Sequence, residues 1–539
     1  CESLPSQRLT FVRDATGLVR EFGLFTVVAI NLLLASPFNG YTLASISIAT
    51  LFPGANIYLV FIFGGILAVF NGLVYALLAT AMPRAGGDYV YNGRILHPAI
   101  GFMSNWGLTW SQFVALAFTA AAAVTFSIAN AFGVIGYITS NSGLTNVATS
   151  FSVPLNVFIA GTIFLFATGI LVFLPTRILG KIFAGGLVLL IVSYIPTLAV
   201  LFTATHDQFV QVFNAFLSKT ANIPNGYNYI ISTAANLGYA PGPWLLQSLL
   251  ALPVAYFFYA GFNFSSYVGG EVKGAEKNQM RGIMIALVFC MVFYIATLGQ
   301  LLNVIGSKFN DSIAFLSANY PNKYPLPVPP SGNFFIGLLA GTNVPLNLVI
   351  QGSYFVSSYL IMPGAILICV RNLFSWSFDR VIPSKFAAVS TGGSPWVATI
   401  ATLAAGEVLL ALYVLTSIFT LLINYIVIFS VAFLITGFAA LVFPFRRRDL
   451  FDSSPTIAQR KIVGIPIISI AGIGNIILFL VILYSSILLP AFSGPVGVVS
   501  MAFVIGIYAT GLIGYYVARV YRKREGIDIL MLNRELPPE

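Results

Sequence analysis

The chain has 539 residues, of which 58% are hydrophobic and only 8% are charged. Because a soluble domain averages about 25% charged residues, this composition excludes a soluble domain of useful size and predicts a protein that crosses the bilayer many times. The net charge of +10 does not indicate a nucleic-acid partner, because the distribution of basic residues along the chain accounts for it.

An α-helix needs about 20 consecutive apolar residues to cross a hydrocarbon core about 30 Å thick. By that measure the sequence predicts an all-α, polytopic membrane protein with about twelve transmembrane helices. The third helix is long enough to contain a turn. In chain order the helices are predicted near residues 22–51, 57–81, 102–137, 154–174, 178–203, 244–270, 282–306, 344–370, 395–415, 417–443, 464–489 and 497–519.

The Lys and Arg residues predict how these helices are oriented. When residues 1–21 are placed in the cytoplasm as an N-terminal tail, only Lys219, Lys308 and Lys323 among the 26 basic residues fall outside. Cytoplasmic loops of membrane proteins generally carry this excess of basic residues. We therefore expect a multi-pass protein of the plasma membrane with both termini in the cytoplasm, whose basic residues also contact anionic lipids.

The predicted helices form groups of five, five and two. Helices 1–5 occupy residues 22–203 and helices 6–10 occupy residues 244–445, with an extracellular loop at 204–243. Because five helices separate the first from the sixth, these two begin on opposite sides of the membrane, which predicts an inverted repeat. The other segments are a cytoplasmic loop, the last two helices and a cytoplasmic tail, at residues 446–463, 464–520 and 521–539.

The first and sixth predicted helices are interrupted in matching places. Residues 36–40 (SPFNG) interrupt the first and residues 260–264 (AGFNF) the sixth, and each interruption carries a Phe-Asn pair beside a glycine. Backbone that leaves helical geometry inside a bilayer exposes N–H and C=O groups that cost several kcal/mol each if they face lipid. Matched interruptions in two halves of a chain therefore indicate the substrate site of a transporter.

Local chemistry suggests which residues contact a substrate. Pro37 lacks an N–H group and disrupts the helix, and the half-helix predicted to follow from about Tyr41 offers a positive N-terminal end that suits a carboxylate. Around the second break, aromatic rings can close over a substrate. The structural alternatives are a simple proline kink and ordinary helix packing. The candidate substrate-binding residues are Ser36, Phe38, Asn39, Gly40, Tyr259, Gly261, Phe262, Asn263 and, as a weaker candidate, Trp110.

Other polar residues within or near the predicted helices suggest ion sites. The hydroxyl groups of Ser357 and Ser358, with carbonyls freed by the first break, form a possible Na⁺ site, although such hydroxyls often bond to their own helix. Glu407 is a candidate for proton transfer or cation pairing, or a hydrogen-bonded group between helices. Glu271 is expected at a gate or interface near Lys273. Asn310 begins an N-glycosylation sequon that is either used or unused.

The sequence shows no P-loop, zinc-cysteine pattern or nucleophile elbow, so neither an enzyme nor a cofactor is predicted. Three stretches instead resemble parts of the amino acid–polyamine–organocation (APC) transporters. They are residues 82–91 (MPRAGGDYVY) with Pro98 and Gly101-Phe102, residues 259–262 (YAGF) with Glu271-Val272-Lys273 and Asn278, and residues 371–374 (RNLF) with residues 379–383 (DRVIP) and Pro395.

The resemblance implies a LeuT-like fold, which is a five-plus-five inverted repeat with unwound helices 1 and 6. It also implies secondary active transport of an amino acid or related amine by alternating access. Two features depart from the family pattern. The first break reads Ser-Pro-Phe-Asn-Gly instead of Gly-Ser-Gly, and the fifth helix has Lys181 at its cytoplasmic end but no lysine deep inside. The second departure weakens one type of proton coupling and leaves Na⁺ coupling or exchange open.

These observations favour an amino acid symporter or antiporter. Since no acidic residue lies at either break, a neutral amino acid is favoured over a cationic one. The alternatives are a transporter of another amine or a nucleobase on the same fold, and a transport-incompetent sensor or subunit. A channel is least favoured because no filter-like repeat or ring of charge appears. The coupling ion, Na⁺ or H⁺, and the oligomeric state stay open.

Overall fold

The computed structural model describes residues 18–390, 393–416, 425–488 and 497–532. In the first half of the chain the helices are α1 (Leu24–Ala35), α2 (Pro37–Leu51), α3 (Ile57–Ala81), α4 (Asp88–Ile95), α5 (Pro98–Ala122), α6 (Ala129–Thr139), α7 (Ser142–Ser150), α8 (Pro154–Gly169), α9 (Thr176–Thr203), α10 (His206–Ala221) and α11 (Gly226–Asn236). A π-helical segment, Ala123–Ile128, joins α5 to α6, and a 3₁₀ segment, Ile170–Phe173, follows α8.

In the second half the helices are α12 (Trp244–Leu250), α13 (Leu252–Tyr259), α14 (Ala275–Ile305), α15 (Ser307–Asn319), α16 (Gly332–Leu339), α17 (Val344–Phe378), α18 (Trp396–Leu415), α19 (Tyr425–Arg446), α20 (Arg448–Asp452), α21 (Ile467–Leu488), α22 (Gly497–Arg524) and α23 (Ile529–Leu532). A short antiparallel hairpin, β1 (Lys461–Ile462) and β2 (Ile465–Pro466), precedes α21. Further 3₁₀ segments are Phe264–Tyr267, Gly269–Glu271, Pro321–Lys323 and Ser384–Ala387.

This architecture confirms the prediction of an all-α polytopic membrane protein. Eleven helical stretches of the described residues are long and apolar enough to cross a membrane. The sixth predicted helix is absent from these eleven because it is divided into short helices. The third is one 42-residue stretch, Pro98–Thr139, that contains the π-helical segment, so it has no turn. Residues 417–424 of the tenth predicted helix lie outside the described residues.

The membrane-spanning stretches Leu24–Leu51 and Val344–Phe378 lie at the centre of the fold. In each of them 78% of the most apolar 18-residue window is buried, compared with 28% in α9. Helix α1 packs against α9, α14 and α17, while α17 also packs against α5. Apolar side chains gain no hydrophobic free energy when they are buried away from lipid. The exposed apolar residues of α9 are therefore expected to face the lipid. The central position of α1, α2 and α17 is what places the first break inside the protein.

The two ends of the helical bundle differ in charge. One end, which we call the basic face, carries Arg84, Arg94, Arg371, Arg447 and Arg522. The opposite face is covered by α10, α11, α15 and α16, which pack together through a cluster of aromatic rings. In α15 the Asn310 side chain is fully buried and its amide donates to the carbonyl oxygen of Ser45. A buried amide offers no site for a glycan, so the structure favours an unused sequon.

Candidate functional site

The first break consists of a single residue. Helix α1 ends at Ala35, Ser36 adopts a left-handed conformation with φ 45° and ψ 53°, and α2 begins at Pro37. Pro37 stands at the first helical position, where its missing N–H group costs nothing. The N–H groups of Asn39 and Gly40 already donate to the Ser36 carbonyl. The break is therefore shorter than the predicted five residues, and the second half-helix begins at Pro37 rather than near Tyr41.

Side chains from α17 and α9 surround this break. The Ser36 hydroxyl lies 3.2 Å from that of Ser357, and the Asn39 amide donates to the Ser358 hydroxyl at 2.8 Å. The hydroxyl of Tyr194 in α9 lies 2.8 Å from the carbonyl oxygen of Phe38 and 3.2 Å from Asn39 Oδ1. Both serines of the predicted ion site thus face the first break, and Tyr194 joins them there.

The second break is longer than the first. Helix α13 ends at Tyr259, residues 260–263 are not helical, and 3₁₀ segments continue the chain until α14 begins at Ala275. Gly261 has a φ of +108°, and a Cβ atom there would come within 2.8 Å of the backbone of Leu34 and Ala35. A side chain is disfavoured by the positive φ and by this approach. Gly261 is therefore where the two breaks meet.

Amide side chains from distant helices bind the backbone of the second break. Asn31 Oδ1 in α1 accepts a hydrogen bond from the Ser265 N–H at 2.8 Å. Gln279 in α14 donates to the Ser265 carbonyl at 2.9 Å and accepts from the Ser265 hydroxyl. Asn31 and Gln279 are both fully buried. Sequence reasoning missed them, although buried amides within otherwise apolar stretches were a signal that could have identified them.

A cavity of about 480 Å³ lies between the two breaks. From the break it continues toward the opposite face, along Ser47 and Leu51 of α2 and Val254 of α13. Among the described residues that line it, none is Asp, Glu, Lys, Arg or His. Besides those three, the lining residues are Leu34, Ala35, Ser36, Asn39, Gly40, Leu43, Gln112, Val114, Ala115, Phe118, Thr119, Ala122, Phe257, Phe258, Ala260, Phe264, Tyr354, Ser358, Ile361, Ala365, Tyr413, Tyr425 and Ile426.

Four of the predicted site residues contribute to the cavity wall, namely Ser36, Asn39, Gly40 and Ser358. Gly40 is also a point of contact with α14, because a Cβ atom there would overlap the Tyr294 hydroxyl. That hydroxyl donates to the Phe258 carbonyl at the end of α13. Tyr294 therefore touches both half-helices that border the cavity.

The other predicted residues lie behind the wall or elsewhere. Tyr259 donates to the carbonyl oxygen of Phe61 at 2.9 Å, and Asn263 donates to Asn71 of α3. Trp110 packs against Trp106 and Phe113, next to α19 and α22. Two further residues are fully buried away from the cavity: Phe38 packs on Tyr194, and Phe262 packs against Gly72. From the sixth predicted helix, the rings of Phe257, Phe258 and Phe264 face the cavity instead.

Two buried ion pairs close the basic face. Arg371 in α17 binds Glu271 through two hydrogen bonds of 2.9 and 2.6 Å, and Thr176 donates to the same carboxylate. Arg94 pairs with Asp379 at 3.1 Å. Two parallel hydrogen bonds make an arginine–carboxylate pair both strong and specific in geometry. Glu271 thus lies at an interface between the residues after the second break and α17, while the neighbouring Lys273 pairs with Glu21 at the surface.

Two acidic residues lie away from the cavity. In the loop helix α4, Asp88 is fully buried and accepts a hydrogen bond from Asn105 at 2.8 Å; burial raises the pKa of its carboxyl from 3.8 to about 7. Glu407 in α18 accepts a hydrogen bond from Thr162 of α8 at 2.7 Å. This contact agrees with the alternative that Glu407 is a hydrogen-bonded group between helices.

Comparison with known proteins agrees with this architecture. The model of the amino acid permease family matches residues 27–530. Two curated proteins, the Asc-type amino acid transporter 1 of Mus musculus and that of Rattus norvegicus, are each 26% identical to this chain over 246 residues. The alignments cover 44% of this chain and only 39% of each relative.

Proposed function

The chain belongs to the amino acid permease family, and we propose that it is a secondary active transporter of amino acids that works by alternating access in the plasma membrane. The observation that carries this proposal is the cavity between the two breaks. Transporter sites of this type lie near the bilayer midplane at discontinuous helices. The distribution of basic residues supports the proposed cytoplasmic location of the basic face.

The substrate's carboxylate is proposed to bind at the first break. The N-terminal end of α2 faces the cavity through Asn39 and Gly40. Such an end carries a partial positive charge and favours an anionic group. The Ser36 hydroxyl and the Asn39 amide stand beside it as additional donors.

A neutral side chain fits the rest of the cavity. A charged side chain that enters a site without a counter-charge loses its hydration and gains no partner. The wall away from the first break is largely apolar and aromatic, with Phe118 of α5, Phe257 of α13 and Ile361 of α17. We therefore propose neutral amino acids as substrates and expect cationic and anionic ones to be poor substrates.

The conformation is proposed to be the outward-facing one. The cavity continues toward the face opposite to the basic one, while the Glu271–Arg371 and Arg94–Asp379 pairs hold the basic face together. Release of substrate into the cytoplasm then requires the residues after the second break to move away from α17. That movement separates Glu271 from Arg371, so this pair acts as the inner gate.

A coupling Na⁺ is proposed to bind next to the first break. Hydroxyl oxygens of Ser36, Ser357 and Ser358 gather there, and an oxygen-rich site at unwound backbone suits such an ion. Proton coupling is the competing proposal. The two differ in whether a Na⁺ gradient or a pH gradient drives accumulation.

The experiment that tests the function is uptake by proteoliposomes. Labelled neutral, cationic and anionic amino acids are supplied with a Na⁺ gradient, with a pH gradient and with neither, and empty liposomes serve as the control. We expect accumulation of neutral amino acids, and a loss of the Na⁺ dependence in Ser358→Ala. Accumulation of a nucleobase or another amine in their place, or binding without accumulation, would contradict the proposal.

A further inference from the structure

A chain of amide groups links helix α21 to the second break. Asn475 in α21 donates to the carbonyl oxygen of Phe433 in α19 at 2.8 Å. Its own Oδ1 accepts from Asn71 of α3 at 2.9 Å. The Asn71 Oδ1 in turn accepts from the Asn263 amide at 2.8 Å. These three asparagines are at most 1% exposed.

The hydrogen bonds that connect these three asparagines run in a fixed direction. Because the backbone carbonyl of Phe433 can only accept, Asn475 must present its NH₂ group to it and its oxygen to Asn71. Asn71 must then point its NH₂ group at Asn475 and its oxygen at the sixth predicted helix. With the Asn475 side chain absent, the Asn71 NH₂ group would lose the acceptor that holds it in this direction.

One oxygen atom holds both sides of the second break. The Asn71 Oδ1 accepts from Tyr256 of α13, before the break, at 2.9 Å. The same atom accepts from Asn263, after the last helical residue of α13. The angle between α13 and the residues that follow therefore depends on the position of one acceptor atom, Asn71 Oδ1.

Close packing keeps Asn475 in place. A Cβ atom at Gly437 of α19 would lie 2.5 Å from the Asn475 Nδ2 atom, and one at Gly472 of α21 would lie 2.8 Å from the Gly437 carbonyl oxygen. The two helices thus approach each other at glycines on both sides of Asn475. This contact confines the Asn475 side chain to one position, and the Phe433 carbonyl sets the direction of its amide.

We propose that Asn475 is a positioning residue for transport, which orients Asn71 and through it holds the second break in the geometry that borders the cavity. This inference rests on the proposed transport function. It gives α21, which lies outside the ten helices of the predicted repeat, a direct role in setting the site. The substrate itself is not expected to touch Asn475, since that residue does not line the cavity.

The test compares three variants in reconstituted uptake. Asn475→Leu removes both hydrogen bonds, and we expect a loss of about tenfold in the ratio of maximal rate to KM, as expected for an interhelical hydrogen bond at the strong end of its range. Ser469→Ala is the matched control, because this buried hydroxyl of α21 donates to the Leu441 carbonyl and has no link to the break. We expect Ser469→Ala to transport as the wild type does.

Asn475→Asp separates positioning from packing. A protonated Asp has both a donor for Phe433 and an acceptor for Asn71, while an ionised one has only acceptors. Uptake by this variant, relative to wild type at each pH, should therefore recover as the pH is lowered. Asn475→Leu should show no such recovery. The inference would be overturned if uptake by Asn475→Asp did not recover at low pH and Asn475→Leu transported as the wild type does.

A readout without transport keeps the inference apart from the proposed function. Hydrogen–deuterium exchange over residues 256–267 should be faster in Asn475→Leu than in wild type and Ser469→Ala. If wild type transports no amino acid, the proposed function fails, and faster exchange in Asn475→Leu still supports the link to the break. Unchanged exchange would contradict it. If Asn475→Leu does not fold, the pH dependence of Asn475→Asp, measured against Ser469→Ala, decides.

Discussion

The two breaks look alike in sequence and differ in how their polar groups are satisfied. At the first break one residue, Ser36, leaves helical geometry, and the residues around it line the cavity. At the second break the chain is irregular over several residues, and side chains of α1, α3 and α14 bind it. The first break therefore presents polar side chains, Ser36 and Asn39, to the cavity, while the second break is bound by side chains of other helices.

This difference suggests a division of labour in alternating access. A segment that must move needs contacts that can be exchanged, and Glu271, which follows the second break, has its partner on α17. A segment that binds a ligand needs polar groups with a stable position, and the first break is fixed by contacts to α9 and α17. The first break thus has the properties of a binding site and the second those of a hinge.

The largest effect is expected at the end of the second break. Arg371→Leu leaves the fully buried carboxylate of Glu271 without its cation, and removing one partner of a buried ion pair costs about 3–5 kcal/mol. Thermal unfolding in detergent measures this change. The control is Lys273→Ala, whose pair with Glu21 lies at the surface and should matter far less. Equal unfolding temperatures for the two variants would refute a closed inner gate.

The next largest effect is expected where the two breaks meet. Gly261→Ala places a Cβ atom against the backbone of Leu34 and puts an alanine at a positive φ. Such a backbone conformation typically destabilises a protein by about 1–3 kcal/mol. Uptake should fall sharply because the second break must shift away from the first. Gly274→Ala, also at a positive φ but with only Asn278 nearby, serves as the control. Normal uptake by Gly261→Ala would show that the breaks do not depend on this contact.

A smaller effect concerns pH and the loop that supports the second break. Asp88 precedes Tyr89 in α4, and the Gly86 N–H donates to the Tyr267 carbonyl. Because burial raises the pKa of Asp88 from 3.8 to about 7, the folded state binds this proton more tightly than the unfolded state. Stability from this group is therefore present at low pH and lost as the pH rises from about 4 to about 7.

Asp88→Asn removes this dependence. Relative to that of wild type, the unfolding temperature of Asp88→Asn should rise between about pH 5 and about pH 7. Parallel curves for the two proteins would mean that Asp88 is ionised throughout this range.

Much of the fold could be predicted from sequence because length and hydropathy determine where helices cross a bilayer. The breaks were also predictable, since Pro37 and Gly261 disfavour regular helix for local reasons. The length of each break was not, because it depends on partners such as Asn31 and Gln279, which lie far away in sequence. The orientation of the Asn263 side chain could not be predicted either. It points to Asn71 because of how α3 packs against α13, and no local pattern records that packing.

The central claim is that the first break binds the substrate and the second is held by the protein. The most direct measurement compares Asn39→Leu with Asn263→Leu in uptake kinetics and thermal unfolding. We expect Asn39→Leu to raise KM about tenfold, which corresponds to a loss of about 1.4 kcal/mol, and to lower the unfolding temperature less than Asn263→Leu does. Asn263→Leu should lower the unfolding temperature clearly. In uptake kinetics, it should reduce the maximal rate by a larger factor than it changes KM. The opposite pattern, or a normal KM for Asn39→Leu, would contradict the account.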